Sequence, residues 1–268
     1  MTALGGHLSA HNPLSSPQCA PAPLHHRGVS VRIGIHPVLE ALRARSPLNR
    51  VLIARGASGP RLQEIIDLCR ELSVPVRFEP RGALDRIAGA STHQGVVALG
   101  APRQLAELDD LPAGACLVIL DGIEDPHNLG AIIRTAHAAG ADAVVVPDRR
   151  AAGLTETVAK AAAGALEHLP VARVGNLAQA LERLKQRGYW IYGLDERGDQ
   201  SYDQIDYASP TAFVLGGEGQ GLHQMIRKRC DFLVRIPLAG KISSLNVSVA
   251  AGIVLFEWKR RQLTDRRI

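Results

Sequence analysis

Two apolar runs near the end of this 268-residue chain each stop in a glycine turn, and a long apolar helix pattern follows the second. The first run, Ala212-Phe213-Val214-Leu215, is continuous, as in a strand buried on both faces of a parallel sheet. It leads into Gly216, Gly217, Gly219 and Gly221, with one carboxylate, Glu218, among them. The second, Phe232 to Ile236, stops at Pro237 and turns at Gly240. Ser243, Ser244 and Asn246 then offer capping chemistry for a helix over about 245–263. Two strand ends rich in backbone amides, beside a helix start, predict a small-molecule site at the carboxyl edge of a parallel sheet. Spacing alone leaves a second reading open, in which the glycines serve packing only. The stretch carries neither Gly-Lys-Ser/Thr nor Gly-x-Gly-x-x-Gly, so it is not a nucleotide phosphate loop.

Upstream the pattern repeats strand and helix. Residues 116–120, 143–146, 171–174 and 189–194 read as strands. The helix opened by Asp125-Pro126-His127-Asn128 carries Ile132, Ile133, Ala136 and Ala139, and Asn128 is a candidate cap. An alanine-rich helix is expected over 155–168 and another over 177–186. Residues 114–268 therefore form one α/β domain. Residues 31–100 form a smaller one, with strands at 31–35, 51–54, 74–78 and 96–99. Helices are expected from His36-Pro37, over 62–69 and over 84–87.

Residues 31–102 hold ten arginines against six carboxylates, a net +4 out of the chain's +5. Arg32, Arg43, Arg45, Arg50, Arg55 and Arg61 either grip phosphates or form a solvated face. Residues 101–113 place an acidic segment between prolines and read as a linker. Residues 1–30 read as a flexible tail, whose histidines His7, His11, His25 and His26 lack the spacing of a metal site. Cys19, Cys69, Cys116 and Cys230 are scattered, without a disulfide framework, which fits a reducing cytoplasmic compartment. No apolar run approaches the ~18 residues of a membrane span.

Three motifs occur in order: Asn128-Leu-Gly130-Ala-Ile-Ile-Arg134, Leu215-Gly-Gly-Glu-Gly-Gln-Gly-Leu222 and Ile236-Pro-Leu-Ala-Gly-Lys-Ile-Ser-Ser-Leu-Asn-Val-Ser248. Together they resemble the motifs of the SpoU/TrmH family, the knotted, S-adenosylmethionine-dependent RNA ribose 2′-O-methyltransferases. The resemblance covers about residues 31–262. It implies a C-terminal SPOUT domain, a parallel sheet with a trefoil knot, preceded by a small ribosomal-protein-like RNA-binding domain. Thr92-His-Gln-Gly-Val-Val97 is similar to the end of that domain, where His93 either touches RNA or holds a turn. The resemblance also implies a homodimer whose subunits complete the sites, an RNA partner, S-adenosylmethionine as cofactor and no metal.

Residue by residue, the resemblance implies a catalytic group of Arg134, Asn128, Glu218, Ser244 and Asn246. Arg134 is the family's group that activates the 2′-hydroxyl. Arginine is normally protonated and accepts no proton, so stabilising the alkoxide and holding the phosphate is the alternative role. Gly130, one helical turn before Arg134, leaves room for the ribose or for another backbone. Glu218 binds Arg134 or an RNA hydroxyl, or caps a helix. Asn246 bonds Arg134 or the cofactor; Ser244 positions the ribose or caps the last helix. The implied cofactor-binding residues are Leu215, Gly216, Gly217, Ile236, Leu238, Leu245 and Asn246, with Leu238 standing where many relatives carry Met. The domain order favours a guanosine of 23S rRNA over tRNA. A non-catalytic RNA-binding protein of the same fold is the other alternative, against which the presence of Asn128, Arg134, Glu218 and Asn246 counts.

Overall fold

The computed structural model describes residues 30–89, 91–111, 114, 116–149, 151–241 and 244–265. Residues 1–29 of the expected tail, with its four histidines and Cys19, lie outside the described residues, and Ser30 already belongs to the first strand.

The smaller domain runs β1 (Ser30–Ile33), α1 (Ile35–Arg43), β2 (Leu48–Ala54), α2 (Pro60–Glu71), β3 (Val76–Glu79), α3 (Arg81–Ala88) and β4 (Val96–Gly100). Its sheet has the order β1-β4-β2-β3. Only the β2–β3 pair is parallel. Val38, Leu39 and Leu42 of α1 and Leu62 and Ile65 of α2 bury one sheet face. Leu84 and Ala88 of α3 bury the other. β2 starts earlier than its apolar run predicts, because Leu48 and Arg50 pair with Gly100 and Leu99 of β4.

The larger domain continues β5 (Cys116–Asp121), α4 (Pro126–Ala139), β6 (Ala143–Pro147), α5 (Glu156–Ala161), β7 (Val171–Val174), α6 (Leu177–Gln186) and β8 (Trp190–Leu194). It ends with β9 (Gln200–Ser201), β10 (Thr211–Gly216), α7 (Gln224–Arg227), β11 (Phe232–Arg235) and α8 (Val247–Asp265). Seven strands lie in the order β7-β6-β5-β10-β8-β11-β9, and every described pairing is parallel. Alternate residues of β5 feed two cores. Cys116, Val118 and Leu120 pack with Ile132 and Ile133 of α4 and Val254 and Trp258 of α8. Leu117 and Ile119 pack with Leu181 and Leu184 of α6. Cover on both faces is why these strands read as unbroken apolar runs. β10 sits between β5 and β8, with Gly216 opposite Asp121, so the strands that build the site end at one edge.

Residues 155–168 do not form one helix. α5 stops at Ala161, Ala163 and Gly164 take positive φ (49° and 95°), and a 3₁₀ turn spans Ala165–Glu167. The cause is tertiary. A Cβ on Gly164 would lie 2.6 Å from Glu40 Cγ on α1. The turn also delivers Glu167 to the small domain, where its carboxylate accepts from Arg32 Nε at 3.3 Å and Ser46 Oγ at 2.6 Å. Arg103 Nη2 donates to the same carboxylate at 2.5 Å. Arg32, only 2% exposed, is thus a domain-joining residue and not a phosphate ligand. The 101–111 segment is laid on the large domain: the Ala106 N–H donates to the Val171 carbonyl at 2.9 Å, and Arg187 donates to the carbonyls of Leu108 and Leu111. His93 is fully buried. Its Nδ1 accepts from the Gly95 N–H at 3.0 Å, so Nε2–H donates to Asp85 at 3.1 Å. It holds a turn and does not face RNA.

Candidate active site

Two helix starts and one glycine loop build the site. Asp125, not Asn128, caps α4: its carboxylate accepts from the His127 N–H at 2.9 Å, with Pro126 in the first turn. That frees Asn128, inside the first turn of α4, to face the loop. α8 is capped by Asn246 rather than Ser244. Asn246 Oδ1 accepts from the Ser248 N–H at 2.9 Å and from its hydroxyl at 2.6 Å.

The cap decides the amide orientation. A backbone N–H can only donate, so the Asn246 oxygen faces α8 and its Nδ2 faces α4. Nδ2 donates to Asn128 Oδ1 at 3.0 Å and to Glu218 Oε1 at 3.1 Å. Asn128 Oδ1 is thereby an acceptor, and its own Nδ2 donates to Glu218 Oε1 at 2.5 Å. Residues separated by 118 and 90 positions close one network in which each amide has one allowed orientation. Among the described residues, Glu218 Oε2 has no partner. Glu218 neither caps a helix nor touches Arg134. Arg134 is exposed on α4, ~9 Å along the axis from Asn128 at 1.5 Å per residue, and has no ion pair among the described residues.

A cavity of ≈ 810 Å³ opens beside Glu218. Leu215, Gly216, Gly217, Ile236, Leu238, Leu245 and Asn246 all line it, together with Ser244. Its volume falls within the ~300–1,000 Å³ of small-molecule sites. Leucine and isoleucine side chains offer apolar walls for a flat ring, and three strand ends offer backbone donors and acceptors. The loop after β8 contributes too, with Asp195 and Arg197, and Arg227 of α7 pairs with Asp195 at 3.2 Å. Sequence reasoning names neither Asp195 and Arg197, which lie in a polar stretch after the strand over 189–194, nor Arg227. The available signal was a further strand end, that of β8, at the same edge. Arg134 does not line this cavity.

The glycines answer to close approach of backbone. A Cβ on Gly216 would lie 2.1 Å from the Gly221 carbonyl carbon. One on Gly217 would lie 2.3 Å from the Gly122 oxygen. One on Gly130 would lie 2.4 Å from Ala161 Cβ and 2.7 Å from the Val158 oxygen. Of the two neighbours expected at Gly130, another backbone is therefore the one present. Cysteine nucleophiles are unsuited: burial pushes the thiols of Cys69 and Cys230 up to about 11 and about 12, and Cys116 higher still.

These features define an α/β protein that holds a small ligand at the carboxyl edge of a parallel sheet, beside an amide-anchored carboxylate. The SpoU rRNA methylase family model matches residues 115–256, and a model for RNA 2′-O ribose methyltransferase substrate binding matches residues 33–106. The chain belongs to the SpoU/TrmH family of S-adenosylmethionine-dependent RNA methyltransferases. It is 44% identical over 237 residues to YacO of Bacillus subtilis (strain 168), a protein named for the TrmH tRNA/rRNA methyltransferase family. That match covers 86% of this chain and 95% of YacO. The SpoU methyltransferase AviRb from Streptomyces viridochromogenes, solved with S-adenosylmethionine, superposes with a TM-score of 0.77 at 27% identity, covering 89% of this chain and 92% of that one. The A. aeolicus TrmH/SpoU tRNA modifying enzyme superposes at 0.52 with 29% identity, over 59% of this chain and 83% of its own.

Proposed function

We propose that this protein methylates a ribose 2′-hydroxyl in RNA, and that its substrate is a guanosine of 23S rRNA in the cytoplasm. The observation that carries the reading is the Asn128–Glu218–Asn246 network, whose Glu218 and Asn246 stand in the wall of a cavity of cofactor size. Leu215, Gly216, Gly217, Ile236, Leu238 and Leu245 would hold S-adenosylmethionine there, which when bound would supply an electrophilic methyl group. Glu218 Oε2, the free oxygen of an anchored carboxylate, accepts from a ribose hydroxyl and orients it. Placement of this kind contributes roughly 7–11 kcal/mol to lowering a barrier. Arg134 holds a substrate phosphate and stabilises negative charge on the 2′-oxygen.

A homodimer fits two further facts. Val249, Phe256 and Leu263 of α8 are half exposed, and Arg134 on the adjoining α4 stands outside its own cavity. Pairing two copies through this face would cover the apolar groups and complete the site. Ribosomal RNA is favoured over tRNA because the small domain carries most of the net positive charge and is docked on the large one. The tRNA modifying enzyme compared above superposes on only 59% of this chain. Among the described residues, no helix is long and apolar enough to cross a membrane.

The test is transfer of labelled methyl from S-adenosylmethionine to unmodified total RNA, with products separated by RNA class and nucleoside. Label in 2′-O-methylguanosine of 23S rRNA is expected. Arg134→Ala should lower transfer by about 10²-fold or more and leave cofactor binding within twofold. Label confined to tRNA would overturn the substrate, and unchanged turnover by the variant would overturn the role of Arg134.

A further inference from the structure

A second cavity, ≈ 610 Å³, shares Gly217, Glu218, Gln220, Gly221 and Val247 with the first. These residues are therefore the partition between the two, and Glu218 faces both. His223, just past the glycine loop, lines only the second cavity. It is held from behind by Asp121, a carboxylate 6% exposed at the end of β5. Asp121 Oδ2 accepts from the His223 backbone N–H at 2.8 Å, and Oδ1 lies 2.9 Å from the ring Nδ1. A carboxylate between two such groups accepts a hydrogen bond from each, so Nδ1 carries the hydrogen, and in the neutral ring this tautomer leaves Nε2 as an acceptor. Among the described residues Nε2 has no partner. Gly122 keeps the ring's flank open, since a Cβ there would lie 3.3 Å from His223 Cε1.

The lining decides what chemistry suits this space. Among the described residues no lysine or arginine borders it, while Glu124, Asp125 and Glu218 do. A phosphate would be repelled, and a group rich in N–H donors would be satisfied. An unstacked nucleobase is such a group, and RNA sites are commonly read on bases splayed out of the stack. A ribose placed at Glu218, in the partition, has its methyl donor on one side and its base on the other.

We infer that the second cavity receives the base of the nucleotide to be methylated, and that His223, oriented by Asp121, accepts a hydrogen bond from an N–H on that base. This rests on the ribose methyltransferase reading above. It makes His223 a specificity-determining residue beyond the reacting oxygen, and Asp121 a positioning residue that acts through it.

The wild type, His223→Ala, His223→Phe and His223→Gln are compared for S-adenosylmethionine binding by calorimetry, then for kcat/KM on unmodified total RNA with the labelled nucleoside identified. All four should bind cofactor within twofold. His223→Ala should lose on the order of tenfold in kcat/KM, the value of one hydrogen bond with its unpaired partner. His223→Phe should lose more by filling the space, and the amide oxygen of His223→Gln should restore part of the loss. Label in the alanine variant should spread to other nucleosides. An active wild type whose alanine and phenylalanine variants match it in rate and nucleoside would overturn the base site and leave the methyltransferase reading intact. Loss of cofactor binding in step with activity in all three variants would mark His223 as structural and overturn the inference. A wild type that binds cofactor and labels no RNA would overturn both.

Discussion

Gly130→Ala sets two effects of opposite sign against each other. In a solvated helix the change stabilises by ~1 kcal/mol, because alanine gives up less backbone freedom. Here the added Cβ meets Ala161 Cβ at 2.4 Å, the Val158 oxygen at 2.7 Å and the Ala162 nitrogen at 3.0 Å. Carbon atoms rest at ~3.5–4.0 Å, so α4 and α5 must separate by roughly 1.1–1.6 Å. Two of the three obstacles are backbone atoms, which no rotamer change can move away. Overpacking of this kind costs ~1–3 kcal/mol, so the packing term wins and the net loss is up to about 2 kcal/mol. α4 also carries Asn128, and a shift of about 1 Å at a positioning group lowers a rate about 10²-fold. Urea unfolding should show a lower midpoint with the slope unchanged, and methyl transfer should fall with it. A variant more stable than wild type, with full activity, would refute the packing argument. Lost activity at undiminished stability would instead mean that Gly130 leaves room for the ribose.

Two further variants and one titration test the frame around the site. Glu167→Ala strands Arg32 in the domain interface and should cost ~3–5 kcal/mol, seen as a drop of roughly 6–20 °C in Tm; a drop under about 2 °C would show that the ion cluster does not join the domains. Burial by itself would raise the Glu167 carboxyl, but Arg103, Ser46 and Arg32 outweigh it and hold it below its ordinary 4.5. A depressed folded-state pKa stabilises above the unfolded value and is lost as pH falls through the folded one. The wild type should therefore weaken below about pH 4.5, and the gap to Glu167→Ala should close; a gap independent of pH would count against the assignment. Gly216→Ala drives a Cβ into the Gly221 backbone, so cofactor binding and thermal stability should fall together. Binding lost at an unchanged Tm would mean that Gly216 is needed for the ligand and not for the loop.

The strands of the large domain were legible because burial on both faces demands continuous apolar runs, and the runs at β5, β6, β7 and β10 carry little else. α4 was legible from its cap, its 3.6-residue periodicity and Gly140. The candidate site was legible as motifs, and nine residues named from them share one cavity. Their bonding was not legible. Asn128 and Ser244 both looked like caps, since the same side chains serve helix starts and active sites. Asp125 and Asn246 do the capping, which leaves Asn128 and one end of Asn246 for Glu218. Asp121 and His223 carried no pattern at all, being 102 positions apart and joined only where β5 and the glycine loop meet.

Local chemistry along the chain determined the element types, the edge of the sheet that carries the glycines, and the family, because each is written within a few residues of itself. Tertiary structure decided what those residues touch. It broke the 155–168 helix to bring Glu167 to Arg32, took Arg32 away from any phosphate, gave the space beside Gly130 to α5, and left Arg134 outside its own chain's cavity. Those outcomes depend on contacts between segments far apart in sequence, whose energies outweigh the local preferences of about 1 kcal/mol or less that the sequence displays.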